Sequence, residues 1–345
     1  MDYQDYCIDK NQSVREAMKQ LDRTKPQILF IVDGKRLKAS LTDGDIRRYL
    51  LNGGQLDDAV YKAGNCNPKI ATSVLHAKEL YHTVDYIAIP IVSDGNILEE
   101  IYFGNTSNSF NVANIDLPVV INAGGKGTRL EPYTKILPKP LIPVGDIPII
   151  EHIMQQFWQY ACDEFHIIVN YKKELMKAYF VENENEYSIQ WYDESKPLGT
   201  GGGLCYLKGK LDKTFFFTNC DNLLLSNYDS IIRFHRENQN AVTMVCAYKN
   251  FTIPYGVINM GINGKIESME EKPEYSFLTN TGIYVVEPYV LEEIGFEESI
   301  GFPDVIDRIR NKGMNVSIYP VSENDWLDMG QMSELEKMRE RLEKM

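Results

Sequence analysis

Residues 119–143 read VVINAGGKGTRLEPYTKILPKPLIP, an apolar run that ends in a glycine-rich loop and then a lysine between two prolines. No other stretch constrains the chain as much. A buried strand that runs straight into glycines leaves backbone N–H groups free to turn around an anion, because no Cβ blocks the approach. Arg129 and Lys139 add two fixed positive charges to Ala123, Gly124, Gly125, Gly127 and Thr128, and such a cradle suits a polyphosphate better than a single carboxylate. The helix does not begin at the loop, and neither GKS, GKT nor GxGxxG occurs, which excludes a Walker loop and a dinucleotide fingerprint.

The formal charge of -13 argues against a nucleic-acid surface, and it requires any phosphate site to be locally positive. The six cysteines show neither zinc spacing nor a disulfide framework and read as buried free thiols in a reducing compartment. No apolar run approaches the ~20 residues of a membrane span, and the N-terminus lacks a signal pattern. The expectation is a soluble, cytoplasmic protein with no membrane and no nucleic-acid partner. Its 345 residues suggest roughly two domains.

In the first hundred residues, Ser13 with Glu16 forms a capping-box pattern, and Val14, Met18 and Leu21 share a helical face. Residues 28–32 predict a strand, Asp33-Gly34 a hairpin turn, and a second strand ends near Leu41; Thr42 to Asp45 then opens a helix through Leu51. A weaker copy follows: a helix over 77–82, a strand over 87–92, a turn over 93–96 and a strand over 97–103. That is an internal repeat of a supersecondary unit. LTDGDIRRYLL (residues 41–51) resembles the signature of a cystathionine-beta-synthase-type (CBS) module, which comes in tandem pairs and binds adenosine nucleotides. The resemblance implies that Thr42 and Asp45 contact ribose. The plainer roles open to them are an N-cap and a favourable first-turn acid. After Phe103 the copy has no TDGD equivalent, so residues 1–103 read as an α+β CBS pair with a degenerate second repeat. Residues 104–116, rich in Gly, Asn and Ser, read as a linker.

From residue 117 onward, alternating strands (117–121, 165–169) and helices (148–160, 172–180) predict a largely parallel sheet covered on both faces, with ligands outside the carboxyl ends of its strands. PLGTGGG (197–203) is a second glycine-rich turn, and backbone contact with a flat base is a use for its glycines. Asp221 stands at the end of the apolar strand 215–217, and Asp328 in WLDMG is a second isolated carboxylate; each is open to a metal role or to a turn or cap role. A helix is expected near 231–235, strands at 242–247, 283–286 and 316–320, a hairpin about Asn263-Gly264, and an amphipathic helix over 332–345.

GGKGTRLEPYT with PKP, then PLGTGGG, NCD, EKP, NTGIY and WLDMG, in this order, resembles the sugar-1-phosphate nucleotidyltransferases over residues 116–345. The resemblance implies a Rossmann-like α/β domain, here residues 117–345, with a mixed, mostly parallel sheet. It implies that Arg129 and Lys139 hold the nucleoside triphosphate, with Gly199, Thr200 and Gly201 completing the nucleotide site. Asp221 and Asp328 would bind Mg²⁺, and Glu271 and Lys272, with Gly202, Asn280 and Thr281, would grip the sugar phosphate. The chain departs from the family at Asn122, where an apolar residue is usual, and at Gly202, where the family carries Ala.

That chemistry fits the residue types. Two polyanions must meet, and unit charges ~4 Å apart repel by about 4 kcal/mol at an intermediate dielectric. A divalent cation and the charges of Arg129, Lys139 and Lys272 offset this, and the sugar phosphate, already ionised, needs no general base. None of the five histidines falls in a motif. Fusion of a CBS pair to this domain resembles the glucosamine-1-phosphate guanylyltransferases of bacterial legionaminic acid biosynthesis, which implies GTP as the nucleotide; a homo-oligomer is expected. A UTP- or dTTP-specific transferase, a cytidylyltransferase for a polyol or choline phosphate, and a nucleotide sensor with an inactive transferase domain stay open.

Overall fold

The computed structural model describes residues 3–83, 88–103, 114–182 and 187–343. The chain divides into two compact units, Met1–Phe110 and Asn111–Met345. The division falls within the segment read as a linker, of which residues 104–113 lie outside the described residues.

In the first unit the Ser13 hydroxyl accepts from the Glu16 N–H while the Glu16 carboxylate accepts from the Ser13 N–H, so the capping box forms and the helix Val14–Leu21 follows. It buries Val14, Ala17 and Leu21, with Met18 half-buried beside them. The hairpin Ile28–Asp33 with Arg36–Thr42 is bulged between Ile31 and Val32, and its copy Ala88–Ser93 with Ile97–Phe103 is bulged between Ile91 and Val92. The repeat is therefore structural as well as sequential. A short strand, Cys7–Asp9, that no apolar run announced pairs parallel with Ile28–Asp33, and in the copy Ala71 makes a single parallel bridge to Ile91. The five strands order as Cys7–Asp9, Ile28–Asp33, Arg36–Thr42, Ile97–Phe103, Ala88–Ser93. Ile87 and the segment after Phe103 lie outside the described residues.

The second unit is built on seven strands, in the order Ser188–Asp193, Glu164–Val169, Val119–Ala123, Phe215–Asn219, Glu274–Val286, Val242–Thr252, Val316–Val321. Glu274–Val286 runs antiparallel to both its neighbours, and every other pairing is parallel. Successive side chains on a strand face opposite ways. Val119, Ile121, Phe216, Ile283 and Val285 accordingly enter one core with the helices Ile149–Trp158, Tyr228–Glu237 and Met332–Leu342, while Val120, Phe215, Phe217, Tyr284 and Val286 enter a second with Phe302–Asn311. Apolar strands covered on both faces are what a largely parallel sheet requires.

Two strands outrun their expected lengths. Beyond Ala247, Tyr248 to Thr252 pairs with Leu278 to Glu274, so backbone hydrogen bonds extend the ladder where apolar patterning has ended. The stretch 204–207 is part of a 3₁₀ turn, Gly202–Leu207, and the carbonyl oxygen of Glu298 approaches Gly202 so closely that a Cβ there would lie 2.1 Å from it. This accounts for glycine at a position where the resembled family carries alanine. We predict that Gly202→Ala costs roughly 1–3 kcal/mol by forcing the Glu298 backbone to shift, read as a lowered Tm in thermal unfolding.

Candidate active site

Val119–Ala123 and Phe215–Asn219 end side by side, with Asn122 opposite Asn219. The glycine loop leaves the first strand. The second turns through Asp221 into Asn222–Leu224, which pairs antiparallel with Trp326–Asp328, placing Asn222 opposite Asp328. The Met329 N–H donates to the Asp221 carbonyl at 2.8 Å. Backbone pairing thus brings together two carboxylates distant in the chain.

Lys139 joins them. Pro138 and Pro140 hold it in the 3₁₀ turn Lys139–Leu141, it is 8% exposed, and its Nζ donates to Asp221 Oδ2. Asn222 Nδ2 donates to the other oxygen, Oδ1, at 3.2 Å. Burial, and then the charge of Asp221, push the Asp328 carboxyl above the ordinary carboxylate range, against the pull of Lys139, the Gly330 N–H and Lys249. Lys249, which no motif singled out, stands 5.3 Å over the Trp326 ring. Asp221 and Asp328 present carboxylate oxygens from two strands side by side, and Mg²⁺ is held by such a pair with phosphate and water oxygens completing the shell. The residues therefore fit the metal. Among the described residues no group of three or more His, Cys, Asp or Glu side chains is placed to hold one.

The first glycine loop wraps Lys139. Gly127 takes φ +65°, and a Cβ on it would lie 2.9 Å from Thr134 Cγ2 and 3.0 Å from Lys139 Cβ. Thr134 Oγ1 donates to the Gly127 carbonyl at 3.1 Å. Gly125, Thr128 and Arg129 face solvent around this turn, and Arg129 has no hydrogen bond or ion pair among the described residues. The second loop lies beside the first: Asn122 Nδ2 donates to the Thr200 carbonyl at 3.4 Å. It is anchored from behind, where the Gly201 N–H donates to the Ile300 carbonyl and Thr200 Oγ1 accepts from the Phe302 N–H, both at 3.0 Å. Asn122, a departure from the family pattern, is therefore the bridge between the two loops.

Between the loops stands Glu194, which the sequence reading missed. It follows the edge strand Ser188–Asp193, whose polar alternation announces neither a core strand nor a site. The residue is 5% exposed, and its Oε1 has no hydrogen-bond partner among the described residues. A Cβ on Gly124 would lie 2.6 Å from Oε2, and one on Gly203 2.6 Å from Oε1, so the carboxyl group is pressed between the two loops. Burial lifts it to about 7, opposed only by the Leu198 N–H.

The other expected site residues are distributed unevenly. Asn280 lies on the strand Glu274–Val286, its Nδ2 donating to Tyr284 Oη at 2.6 Å, and Gly282 packs against the Asn219 and Asn222 amides of the turn that carries Asp221. Thr281 is buried, its hydroxyl donating to the Val245 carbonyl at 2.8 Å and accepting from the Ile283 N–H at 3.3 Å. Alternation along the strand forces this, since one of two successive residues must face the core. Glu271 and Lys272 are exposed after the strand Ile266–Glu270, and no hydrogen bond or ion pair among the described residues joins them to Lys139, Asp221 or Asp328.

In the first unit Thr42 and Asp45 form a capping box, Asp45 Oδ2 accepting from the Thr42 N–H at 2.8 Å and from its hydroxyl at 2.6 Å, while Arg48 pairs with Asp45 Oδ1. The capping role is thus realised. All six cysteines are free, four of them buried; Cys66 is exposed and Cys7 half-buried, which corrects the expectation that all are buried. His166 and His235 are buried in pairs with Tyr192 and Thr243, structural roles both.

A mixed sheet covered on both faces, with glycine loops and paired carboxylates at its carboxyl ends, defines a nucleotide-handling α/β domain. More particularly, the chain belongs to the Nucleotidyl transferase family, whose profile matches residues 118–345. It is similar to a probable mannose-1-phosphate guanylyltransferase of Oryza sativa subsp. japonica, 30% identical over 225 residues, 62% of each chain. It is also similar to the bifunctional protein GlmU of Methanococcus maripaludis (strain C7 / ATCC BAA-1331), 32% identical over 222 residues, 62% of this chain and 51% of that one. The match thus spans between half and two thirds of the length of these relatives. The crystal structure of HddC from Yersinia pseudotuberculosis shares the fold, with TM-score 0.53 and 19% identity over 66% of this chain and 99% of that one.

Two outcomes are expected. Lys139→Ala leaves two carboxylates facing each other without their cation and lowers stability by about 3 kcal/mol, measured by denaturant unfolding. Glu194 in the fold lies at about 7 against 4.5 for a free glutamate, so the stability it contributes is full below 4.5 and is lost as pH rises through 7. Glu194→Gln therefore raises stability at pH 8 by roughly 2–3 kcal/mol relative to its effect at pH 4.5, visible as Tm against pH.

Proposed function

We propose that this protein transfers a nucleotidyl group from a nucleoside triphosphate, with GTP favoured, to glucosamine 1-phosphate or a similar hexose 1-phosphate, giving an NDP-sugar and pyrophosphate. The observation that carries this reading is the convergence of Lys139, Asp221 and Asp328 beside a glycine loop at the carboxyl ends of the sheet. Asp221 and Asp328 would hold Mg²⁺, which supplies charge neutralisation between the two polyanions. Arg129, free in solvent, offers two parallel donors to phosphate oxygens, and Lys139 a point charge. The sugar phosphate is anionic at neutral pH, so positioning and charge stabilisation suffice without a general base. Relatives whose names specify mannose-1-phosphate guanylyltransferase support the choice of GTP.

We further propose that the first unit is a CBS pair able to take an adenosine nucleotide near Thr42 and Asp45; the repeated bulged hairpin supports the pairing. The enzyme is proposed to act in the cytoplasm as a homo-oligomer, supplying nucleotide sugar for a surface glycan or nonulosonic acid. Among the described residues no helix is long and apolar enough to cross a membrane.

Pyrophosphate release across GTP, UTP, dTTP, CTP and ATP with a panel of sugar 1-phosphates tests the reading. The expected outcome is Mg²⁺-dependent release, highest with GTP and an amino-hexose 1-phosphate, reduced by at least ~100-fold in Asp221→Asn, which keeps the side chain's shape while removing its charge. Release with none of the pairs sinks the assignment, and near-normal turnover in Asp221→Asn shows the site to be elsewhere.

A further inference from the structure

The prolines that hold Lys139 leave a want of donors just before it. Tyr133–Ile136 is a single helical turn, closed by the Leu137 N–H donating to the Tyr133 carbonyl at 2.9 Å, and Leu137 itself is extended at φ -104° and ψ 148°. In a continuing helix the carbonyls of Thr134 and Ile136 would accept from residues 138 and 140. Both are proline and carry no N–H. The turn thus ends with the carbonyls of Thr134, Lys135 and Ile136 lacking helical donors, and two side chains from outside it supply them. Tyr171 Oη donates to the Thr134 carbonyl at 3.2 Å, and Lys172 Nζ donates to the carbonyls of Lys135 and Ile136 at 2.6 and 2.7 Å. Nothing in the chain around Lys172 calls for this lysine. It stands at the N-terminus of the helix Lys173–Glu182, where the helix dipole disfavours a cation, and no carboxylate pairs with it among the described residues. Its backbone takes φ +51°, a conformation costly for any residue with a Cβ.

We propose that Lys172, with Tyr171, is a positioning residue for the nucleotide: it locks residues 127–139, the segment that carries Arg129 and Lys139, in the shape that holds a triphosphate. This rests on the transferase reading above and deepens it, naming the contact that fixes the phosphate side of the site. At the start of the segment Thr134 Oγ1 reaches back to the Gly127 carbonyl at 3.1 Å, and a Cβ on Gly127 would meet Thr134 Cγ2 at 2.9 Å, so a shift of Thr134 moves the glycine loop. At its end Lys139 is bonded to Asp221. Between these ends stand the three bonds from Tyr171 and Lys172, and their base is firm. Both residues follow the strand Glu164–Val169, which pairs with Val119–Ala123, the strand from which the glycine loop leaves, and Asn170 Nδ2 donates to the Glu194 carbonyl at 3.1 Å. Lys172 therefore ties the segment to the strand beside its own. Without the ammonium the turn Tyr133–Ile136 is free to swing, and it carries Gly127 at one end and Lys139 at the other. A left-handed residue that is not glycine persists where its surroundings over-determine it, and such residues cluster at functional sites. Replacing this one by glycine relieves the backbone while removing the bonds, so stability and activity part there.

The test measures kinetic constants with GTP and glucosamine 1-phosphate, together with Tm, in wild-type enzyme and in Lys172→Ala, Lys172→Gly and Lys172→Arg. In the alanine and glycine variants kcat/KM for GTP is expected to fall by roughly 10–100-fold, through a raised KM and a lowered kcat together, while KM for the sugar phosphate changes by less than about 2-fold. Lys172→Gly keeps Tm near that of the wild type, because the positive φ is relieved. Lys172→Arg, whose guanidinium can still donate to two carbonyls, recovers most of kcat/KM. Wild-type kcat/KM in Lys172→Gly, or an arginine variant as impaired as the alanine one, overturns the proposal. No pyrophosphate release from wild type sinks the transferase reading alone, and calorimetric titration with GTP then decides for Lys172: binding weakened by about 10-fold or more in Lys172→Gly upholds it, and equal or absent binding overturns it.

Discussion

The ammonium of Lys139 is the charge on which the site depends. It is buried at the ends of two parallel strands, bonded to Asp221 and close enough to Asp328 to oppose the rise of that carboxyl group. Burial and the charge of Asp221 raise the Asp328 carboxyl, and the charges of Lys139 and Lys249 offset that rise only in part. The cluster is assembled by backbone: the strand pair that sets Asn222 opposite Asp328 and the Met329 N–H that reaches the Asp221 carbonyl put the side chains there without help from the ligand.

The same economy governs the nucleotide side. Loops that bind anions through their backbone must hold that backbone still, and here the second loop is fastened to Ile300 and Phe302 while Asn122 ties it to the first. Gly199, at φ +80°, lies where a Cβ would meet the Ile300 carbonyl at 2.6 Å, so glycine is demanded by close approach and by backbone angle together. A buried acid pressed between these loops raises the free energy of the folded state. Such strain persists at a site when a bound ligand relieves it.

Much of this was legible in the sequence, for identifiable reasons. Apolar runs of five or six residues mark central strands, and glycines after one of them mark a place where backbone meets a ligand. Hence the strands Val119–Ala123, Glu164–Val169 and Phe215–Asn219 were foreseeable, whereas Lys139, Asp221 and Asp328 were singled out together only through the resemblance to the sugar-1-phosphate nucleotidyltransferases. The edge strand Ser188–Asp193 was not, because it buries one side chain fully and its polar alternation reads equally well as a loop. Glu194 was lost with it. The motif that assigns Thr281 to the sugar phosphate marks a strand but not which of its side chains is buried, and the Thr281 hydroxyl is spent on the Val245 carbonyl. Pairing of Tyr248 to Thr252 with Leu278 to Glu274 escaped notice because hydrogen bonds between backbones leave no trace in side-chain pattern.

A chain of formal charge -13 that handles polyanions needs its cations where they act. Surface lysines far from the site add little, because exposed charges separated by more than about 8–10 Å are largely screened in physiological salt. Lys139 escapes screening by burial, and the cost of burying it is offset by Asp221. Arg129, exposed and with no hydrogen bond or ion pair among the described residues, presents its donors to solvent. The two cations thus stand differently: Lys139 is bonded within the site by Asp221, and Arg129 keeps its donors exposed beside the glycine loop. Were both exposed, the global field would oppose binding; were both buried and paired, none would be left for the ligand.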